Sequence, residues 1–493
     1  MTTEGRRGLR ALIVGAGIAG LSTALSLHAA GARDGVVVID ASRRLLPVGA
    51  GINLQPHAVR ELTELGLGDQ LAAVAAEPRE LVYTDRHGNT IASHPRGRYA
   101  GYRWPQLSVH RGELQRVLLD AVRERLGPDV VRTGLALERY EQRADGVTAV
   151  LRRRTADETA PEEPPGSGTE TLDTDVLVGC DGLYSAVRRQ LHPDEGEPRW
   201  NGIWMWRGVT EAPLPLDGRT MIVAGSYRPA RAVVYPLGDG QVNWVAEVRT
   251  SEPGAVHSAD WSREGRLADV LPHYDHWRID GLDVAALLRT TPHILEYPMV
   301  DRDPLDSWGR GRVTLLGDAA HPMLPVGSNG GSQAILDARA LAWGLSRHPD
   351  DPAAGLRAYE DARRGPANDI LTVCRDMTPD RVLNTVAERA PDGFRRVEDV
   401  LTPTELDVMR EGTRRAMDMD VASLNSQPSW SPAPAPDPMC GVCWCWVLVS
   451  LCFGGHSVRE TPGYIPNPEA KPFCADGTAY GSVWESRTPP NYL

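Results

Sequence analysis

Three glycines near the amino terminus constrain the fold more than any other feature of the chain. Gly15-Ala16-Gly17-Ile18-Ala19-Gly20 follows an apolar run at 9–14 and opens a segment, 18–30, whose apolar residues recur with helical period. A second apolar run, 36–39, comes next and ends at Asp40. Strand, glycine turn, helix and strand make a β-α-β unit, which implies a parallel sheet covered on both faces. The glycines permit a tight turn and let the backbone approach a pyrophosphate seated on the helix N-terminus. Asp40 stands twenty residues after Gly20, where an acid accepts hydrogen bonds from a ribose diol. These elements predict a dinucleotide site, against the alternative of a glycine-rich turn in an ordinary α/β protein. Arg6, Arg7 and Arg10 before the apolar stretch 11–27 imitate a secretory signal, but the glycine spacing favours the folded reading.

Composition narrows the function classes. A chain of 493 residues holds about two to three domains. With 41% apolar and 24% charged residues it has an ordinary globular balance. A net charge of −12 without a basic stripe argues against nucleic acid and anionic membranes as partners. No segment before residue 439 is long and apolar enough to span a bilayer. Of seven cysteines only Cys180 and Cys374 precede residue 440, which is no disulfide framework and suggests a cytoplasmic protein.

Further along, 111–125 reads as a helix, 130–143 and 147–153 as a strand pair, 155–171 as an exposed loop and 175–179 as a buried strand. Runs at 203–210, 220–224, 232–237 and 241–248, separated by Pro, Gly and Asp turns, carry the signature of an antiparallel sheet. A buried strand at 312–316 and helices at 332–347 and 353–364 follow, and 366–427 looks helical. Residues 428–438 are Pro-rich and read as a linker. Beyond it Cys440, Cys443, Cys445, Cys452 and Cys474 alternate with tryptophans and lack a histidine at ligand spacing, so no metal site is expected. A chain ending near Gln427 is expected to retain the cofactor.

Two further motifs separate the possible dinucleotides. Asp175-Val-Leu-Val-Gly-Cys180-Asp181-Gly182-Leu-Tyr-Ser185-Ala-Val-Arg188 and Gly317-Asp318-Ala-Ala-His321-Pro-Met-Leu-Pro325 resemble the DG and GD fingerprints of the class A FAD-dependent aromatic hydroxylases. His110-Arg111-Gly-Glu-Leu resembles that family's arginine segment. The resemblance spans roughly residues 9–375 and is nearest in appearance to phenazine-modifying monooxygenases, through MWRGVTE, YPMVDRDPL, WGRGR and GDAAHPMLPVGSNGGSQAILDA.

The resemblance implies an α/β chain: a Rossmann-like FAD-binding domain (1–75, 106–195, 296–365), an inserted antiparallel substrate domain (76–105, 196–295), C-terminal helices (366–427) and an atypical tail (428–493). It implies that Gly15, Ala16, Gly17, Ala19 and Gly20 cradle the FAD pyrophosphate and that Asp40 and Ala41 meet the adenosine ribose. Arg111 and Asp318 would hold the pyrophosphate and ribityl region. Gly51, Pro325, Gly327, Asn329 and Gly330 would face the flavin, with the N-terminus of the helix at 332 stabilising its anionic reduced form. Asp181 divides between a helix cap and nicotinamide handling. His321 reads as a packed histidine, Arg188 as a surface charge and Cys180 as core. Cofactors are therefore FAD, with NADPH or NADH as transient co-substrate, since no second GxGxxG exists.

The implied reaction is hydroxylation of an electron-rich aromatic ring through a flavin C4a-hydroperoxide, the protein orienting the ring and excluding water. Val223, Tyr235 and Trp244 are the candidates for lining a substrate pocket on the inserted sheet, with sheet core as the alternative for each. Few charges punctuate these strands, which suggests a large flat ring. Indole, polyketide or salicylate-type substrates, and a non-oxygenating FAD-binding accessory role, are the competing readings. Retention of the DG and GD motifs and of the flavin-facing Gly330 argues against the last. A monomer or homodimer is expected.

Overall fold

Ala11–Val14 is buried along its whole length because it is the hub of a six-stranded sheet. In the computed structural model the order is Gly309–Arg310, Val313–Leu315, Val176–Gly179, Ala11–Val14, Val36–Asp40, Val131–Thr133. All neighbours run parallel except Gly309–Arg310. The described residues are 8–430, apart from 33, 47–48, 155–167, 213–216, 256–262, 278, 280–281 and 417–419. Helices Ile18–Ala29, Arg111–Leu126 and Gly330–Arg347 share one apolar core with this sheet.

The expected strand at 130–143 is two strands. Gly134 lies between them at φ +72°, outside the extended region. Val131–Thr133 therefore joins the parallel sheet, while Leu135–Gln142 pairs antiparallel with Val147–Arg153 and, beyond it, Thr169–Thr174.

The inserted sheet has eight strands. Arg199–Glu211, Gln241–Arg249, Ala230–Pro236, Thr220–Gly225, Glu80–Thr84 and Thr90–Pro95 follow one another, with Gly254–Ala255 and Ile294–Asp301 both paired to Arg199–Glu211. One pairing, Thr220–Gly225 with Glu80–Thr84, is parallel. Residues 80–95 and 199–301 thus meet in one sheet, whose last strand runs six residues past the expected limit at 295. Gly51–Leu54, Leu107–His110 and Ala75–Ala76 form a small sheet beside it.

The helix expected at 353–364 runs Pro352–Asp376, with Pro366 inside it. Its buried face continues across the proline through Ala367, Ile370, Leu371 and Cys374, so tertiary burial overrides the local breaker. Helices Thr378–Arg389 and Pro403–Ala416 follow, and Val382, Leu383, Val386 and Met409 pack on the sheet face that carries Val223 and Tyr235.

The docked chain reaches past the expected boundary at 427. Glu61 is fully buried and meets Arg60 at 2.8 Å, Arg339 at 3.2 Å and the hydroxyl of Ser429 at 2.6 Å. Trp430 packs edge-on against Trp343, ring centres 5.6 Å apart. Removing these partners leaves a buried carboxylate short of one donor, at a cost of about 1–3 kcal/mol. A chain ending at Gln427 is therefore expected to unfold at lower urea than one ending at Trp430. Equal midpoints would show that residues 428–430 contribute nothing. The cysteine-bearing tail lies outside the described residues.

Candidate active site

The glycine turn is built by contacts that a side chain would destroy. Gly15 has φ +106°, and a Cβ there would stand 2.4 Å from the carbonyl oxygen of Cys180. At Gly20 it would stand 1.9 Å from the carbonyl oxygen of Gly15. Gly17 differs: among the described residues nothing lies within 4 Å of its Cβ position. It caps the helix Ile18–Ala29 with no side-chain hydrogen bond, so among the described residues no side chain takes up the first N–H groups of that helix.

Asp40 sits where expected and is already at work in the turn. One oxygen accepts from the N–H of Ala16 and the other from that of Ser42, both at 2.8 Å. Ala16 is buried and its carbonyl accepts from Gln115; Ala19 is half-buried and Ala41 exposed. Arg111 begins its helix with its stem against Gly49, and Asp318 is exposed between buried Gly317 and Ala319. Among the described residues neither the Arg111 guanidinium nor the Asp318 carboxylate makes a hydrogen bond or ion pair. A free cation, a free anion and an uncapped helix end beside a glycine with room to spare fit a dinucleotide such as FAD.

The second glycine cluster shows a different start than expected. The helix begins at Gly330, not 332, with Asn329 as its cap. Among the described residues the only atom within 4 Å of a Gly330 Cβ is Asp318 Oδ1 at 3.7 Å. Before it, Pro325 leads a turn in which Gly327 takes φ +72° and gives its carbonyl to the Gln55 amide at 2.8 Å. Gly51 is required by packing, because its Cβ would meet Asn243 and Leu237 at 2.9 Å. Its carbonyl accepts from Tyr235 Oη at 2.6 Å and from Arg207.

Asp181 is a helix cap. It accepts from Ser185 Oγ at 2.5 Å and from the N–H of Ala186 at 2.7 Å, and burial raises its pKa despite these donors. Arg188 is not a surface charge. It is 2% exposed, paired with Glu195, and donates to the carbonyls of Ala319 and Ala320 at 2.9 and 2.8 Å, tying the DG segment to the GD segment. Cys180 lies in the core. His321 is fully buried, its Nε2 2.5 Å from Asp337 Oδ2. Asp337 also takes Arg363 at 2.8 Å and the N–H of Gly317 at 3.2 Å. Burial alone would raise the Asp337 pKa, but His321 and Arg363 outweigh it and hold the carboxyl below its usual value.

An open cavity lies between the 325–328 turn and the inserted sheet, lined by Gln55, Tyr83, Arg96, Gln106, Met221, Val223, Arg231, Val233 and Asp380 among others. Val223 is in its wall. Trp244 is not: it pairs with Val234, which pairs with Ile222, one residue out of phase with Val223, so it points to the other face. There it packs among Ile222, Val270 and Leu287 and donates to Thr291 Oγ1 at 2.7 Å. Tyr235 shares Val223's face but spends its hydroxyl on Gly51, and burial pushes its pKa up to about 12. The strands are also less neutral than expected. Arg231 stands opposite Glu247, 2.6 Å away, and also pairs with Asp380. Arg96, Gln106, Gln55 and Asp380 were not legible as cavity residues, because each comes from a separate segment.

A family model described as an FAD binding domain matches residues 9–373. The phenazine 1,6-dicarboxylic acid hydroxylase PhzS of Lysobacter antibioticus is 47% identical over 382 residues, 76% of this chain and 91% of that protein. The 3-hydroxybenzoate 6-hydroxylase 1 of Aquipseudomonas alcaligenes is 34% identical over 357 residues, 71% and 84% of the two chains. The crystal structure of Klebsiella pneumoniae HpxO complexed with FAD and uric acid superposes with a TM-score of 0.65 at 25% identity, covering 83% of this chain and 97% of that one. Among the described residues no helix is long and apolar enough to cross a membrane, and no cluster of His, Cys, Asp and Glu is arranged to hold a metal. The motifs, their geometry and these matches agree: the chain belongs to the FAD-binding-domain family of flavin-dependent aromatic monooxygenases.

Proposed function

We propose that this enzyme hydroxylates a planar polycyclic aromatic acid of the phenazine type, consuming NADPH or NADH and O2. The cavity between the 325–328 turn and the inserted sheet carries the reading, because it joins a flavin-facing backbone to an apolar wall of Val223, Val233 and Met221. The 47% identity to a phenazine 1,6-dicarboxylic acid hydroxylase supports the ring system.

FAD, held by Gly15–Gly20, Asp40, Arg111 and Asp318, supplies hydride acceptance and oxygen activation. The chain's own residues do the rest. The N–H groups at the start of Gly330–Arg347 and the positive end of that helix would favour negative charge on a flavin ring held there. Val223, Val233 and Met221 keep water from the reacting carbon. Substrate binding gates reduction, which limits wasted reductant. A cytoplasmic monomer or homodimer that binds neither nucleic acid nor membrane completes the proposal. The acidic charge and the buried cysteines Cys180 and Cys374, which form no disulfide among the described residues, support it.

The test is NAD(P)H oxidation with and without phenazine carboxylic acids, with product made under 18O2. Oxidation is expected to accelerate with the acid, and label to enter the product from O2. Label from water would overturn oxygenation. Equal rates of flavin reduction with and without substrate would overturn gating.

A further inference from the structure

Asp380 lies in the first turn of the helix Thr378–Arg389 and is 2% exposed in the wall of the substrate cavity. Its carboxylate is only half used. Oδ1 accepts from the Arg231 guanidinium, which Glu247 also holds, and Oδ2 has no hydrogen-bond partner. Burial raises its pKa, with Arg231 opposing the rise and Glu247 adding to it.

Gln55 lines the same cavity and is also 2% exposed. Its Nε2 donates to the Gly327 carbonyl at 2.8 Å, which fixes the amide, because turning it over would set oxygen against oxygen. Oε1 is therefore held as an acceptor, and it too has no partner. Gln106 is less decisive. Its nitrogen meets the sulfur of Met221 at 3.2 Å, a weak acceptor, and its oxygen has no partner, so either orientation of its amide costs little.

A buried acceptor without a donor has lost its hydration and recovered nothing. Two such acceptors, fixed in one cavity, point to a donor on the ligand. A cationic donor is disfavoured, because the guanidiniums of Arg96 and Arg231 line the same cavity and repel a further positive charge. What remains is a neutral O–H or N–H.

We propose that Asp380 and Gln55 form an acceptor subsite for a neutral hydroxyl or amino group on the aromatic substrate, selecting rings that bear such a donor over rings of similar outline that do not. The inference rests on the reading above that this cavity holds the substrate. A site built to hydrogen-bond a group rejects the analogue lacking it, since the analogue leaves the acceptor buried and unmade. The acid group of the substrate then lies away from Asp380, whose charge repels it.

The test titrates the full-length, FAD-loaded protein with 2-hydroxyphenazine, 2-aminophenazine and 2-methoxyphenazine, following flavin absorbance at a pH where the hydroxyl keeps its proton. The wild type is expected to bind a donor-bearing ring about tenfold tighter or more than the methoxy ring, and the tighter of the two donors tells hydroxyl from amine. Asp380→Asn keeps an oxygen for Arg231 and turns N–H groups toward the cavity, so it is expected to abolish the preference or reverse it. Gln55→Met is expected to reduce it. FAD content of each purified variant reports folding, and the preference is a ratio, which general loosening of the cavity leaves unchanged. If Asp380→Asn keeps the preference with its FAD in place, the subsite is overturned while the phenazine reading stands. If no phenazine binds, 3-hydroxybenzoate is compared with 3-methoxybenzoate. An Asp380-dependent preference there upholds the subsite and removes the phenazine reading. No preference for the donor in either series overturns the subsite.

Discussion

Gly17→Val is expected to give a folded protein without FAD, whereas Gly15→Val and Gly20→Val fail to fold. The three glycines share a motif but answer to different neighbours. A side chain at Gly15 meets the Cys180 carbonyl at 2.4 Å from a backbone at φ +106°. At Gly20 it meets the Gly15 carbonyl at 1.9 Å. Both obstacles are backbone at the centre of the parallel sheet, so relief means moving Ala11–Val14 or Val176–Gly179, and each strained position costs several kcal/mol. Gly17 meets nothing within 4 Å among the described residues. Valine there has room in the protein alone and occupies the approach to the first N–H groups of Ile18–Ala29. Losing those charge-assisted contacts to a pyrophosphate removes about 3 kcal/mol or more of FAD binding. Absorbance at the flavin band, read against protein and beside circular dichroism, separates the two effects. A yellow Gly17→Val protein would show that the cofactor lies elsewhere.

How far the site is legible in sequence depends on whether its parts are local. The glycine turn, its helix and Asp40 follow within thirty residues, and each local signal agrees with the next, so the nucleotide end reads directly. The substrate end does not. Whether Trp244 shares a face with Val223 is decided by the register between strands, and a shift of one residue reverses the answer. Alternation within one strand cannot supply that register. The helix at Gly330 starts two residues early because Asn329 accepts the first turn through its backbone, at 2.8 Å from the Gln333 N–H, not through a side-chain cap that sequence would flag. Arg188 looked like one more surface arginine in an arginine-rich chain. Its partners at 319 and 320 are carbonyls, which any residue carries and no pattern marks.

The same blindness to distant partners hides the position where substitution should cost most stability. Asp337→Ala is expected to destabilise the protein by about 3–5 kcal/mol, because it leaves buried Arg363 without its counter-charge and His321 without its acceptor. Gln333, at 2.5 Å from Arg363, offers a neutral oxygen that cannot replace a carboxylate. The loss reaches the cofactor, since Asp337 also holds the N–H of Gly317 and so sets the loop that presents Asp318. The effect carries a pH signature. Folding lowers the Asp337 pKa, so the unfolded chain takes up the proton first as pH falls. The stabilisation is complete above the unfolded carboxyl value of about 4 and disappears as pH falls through the folded one. Asp337→Asn keeps the shape and removes the charge, so it has none of this dependence. Urea midpoints of wild type and Asp337→Asn, measured from pH 7 down to about pH 3, should lie far apart at neutrality and converge in acid. A constant separation across that range would mean that the pair to Arg363 and His321 contributes shape and no charge to the fold.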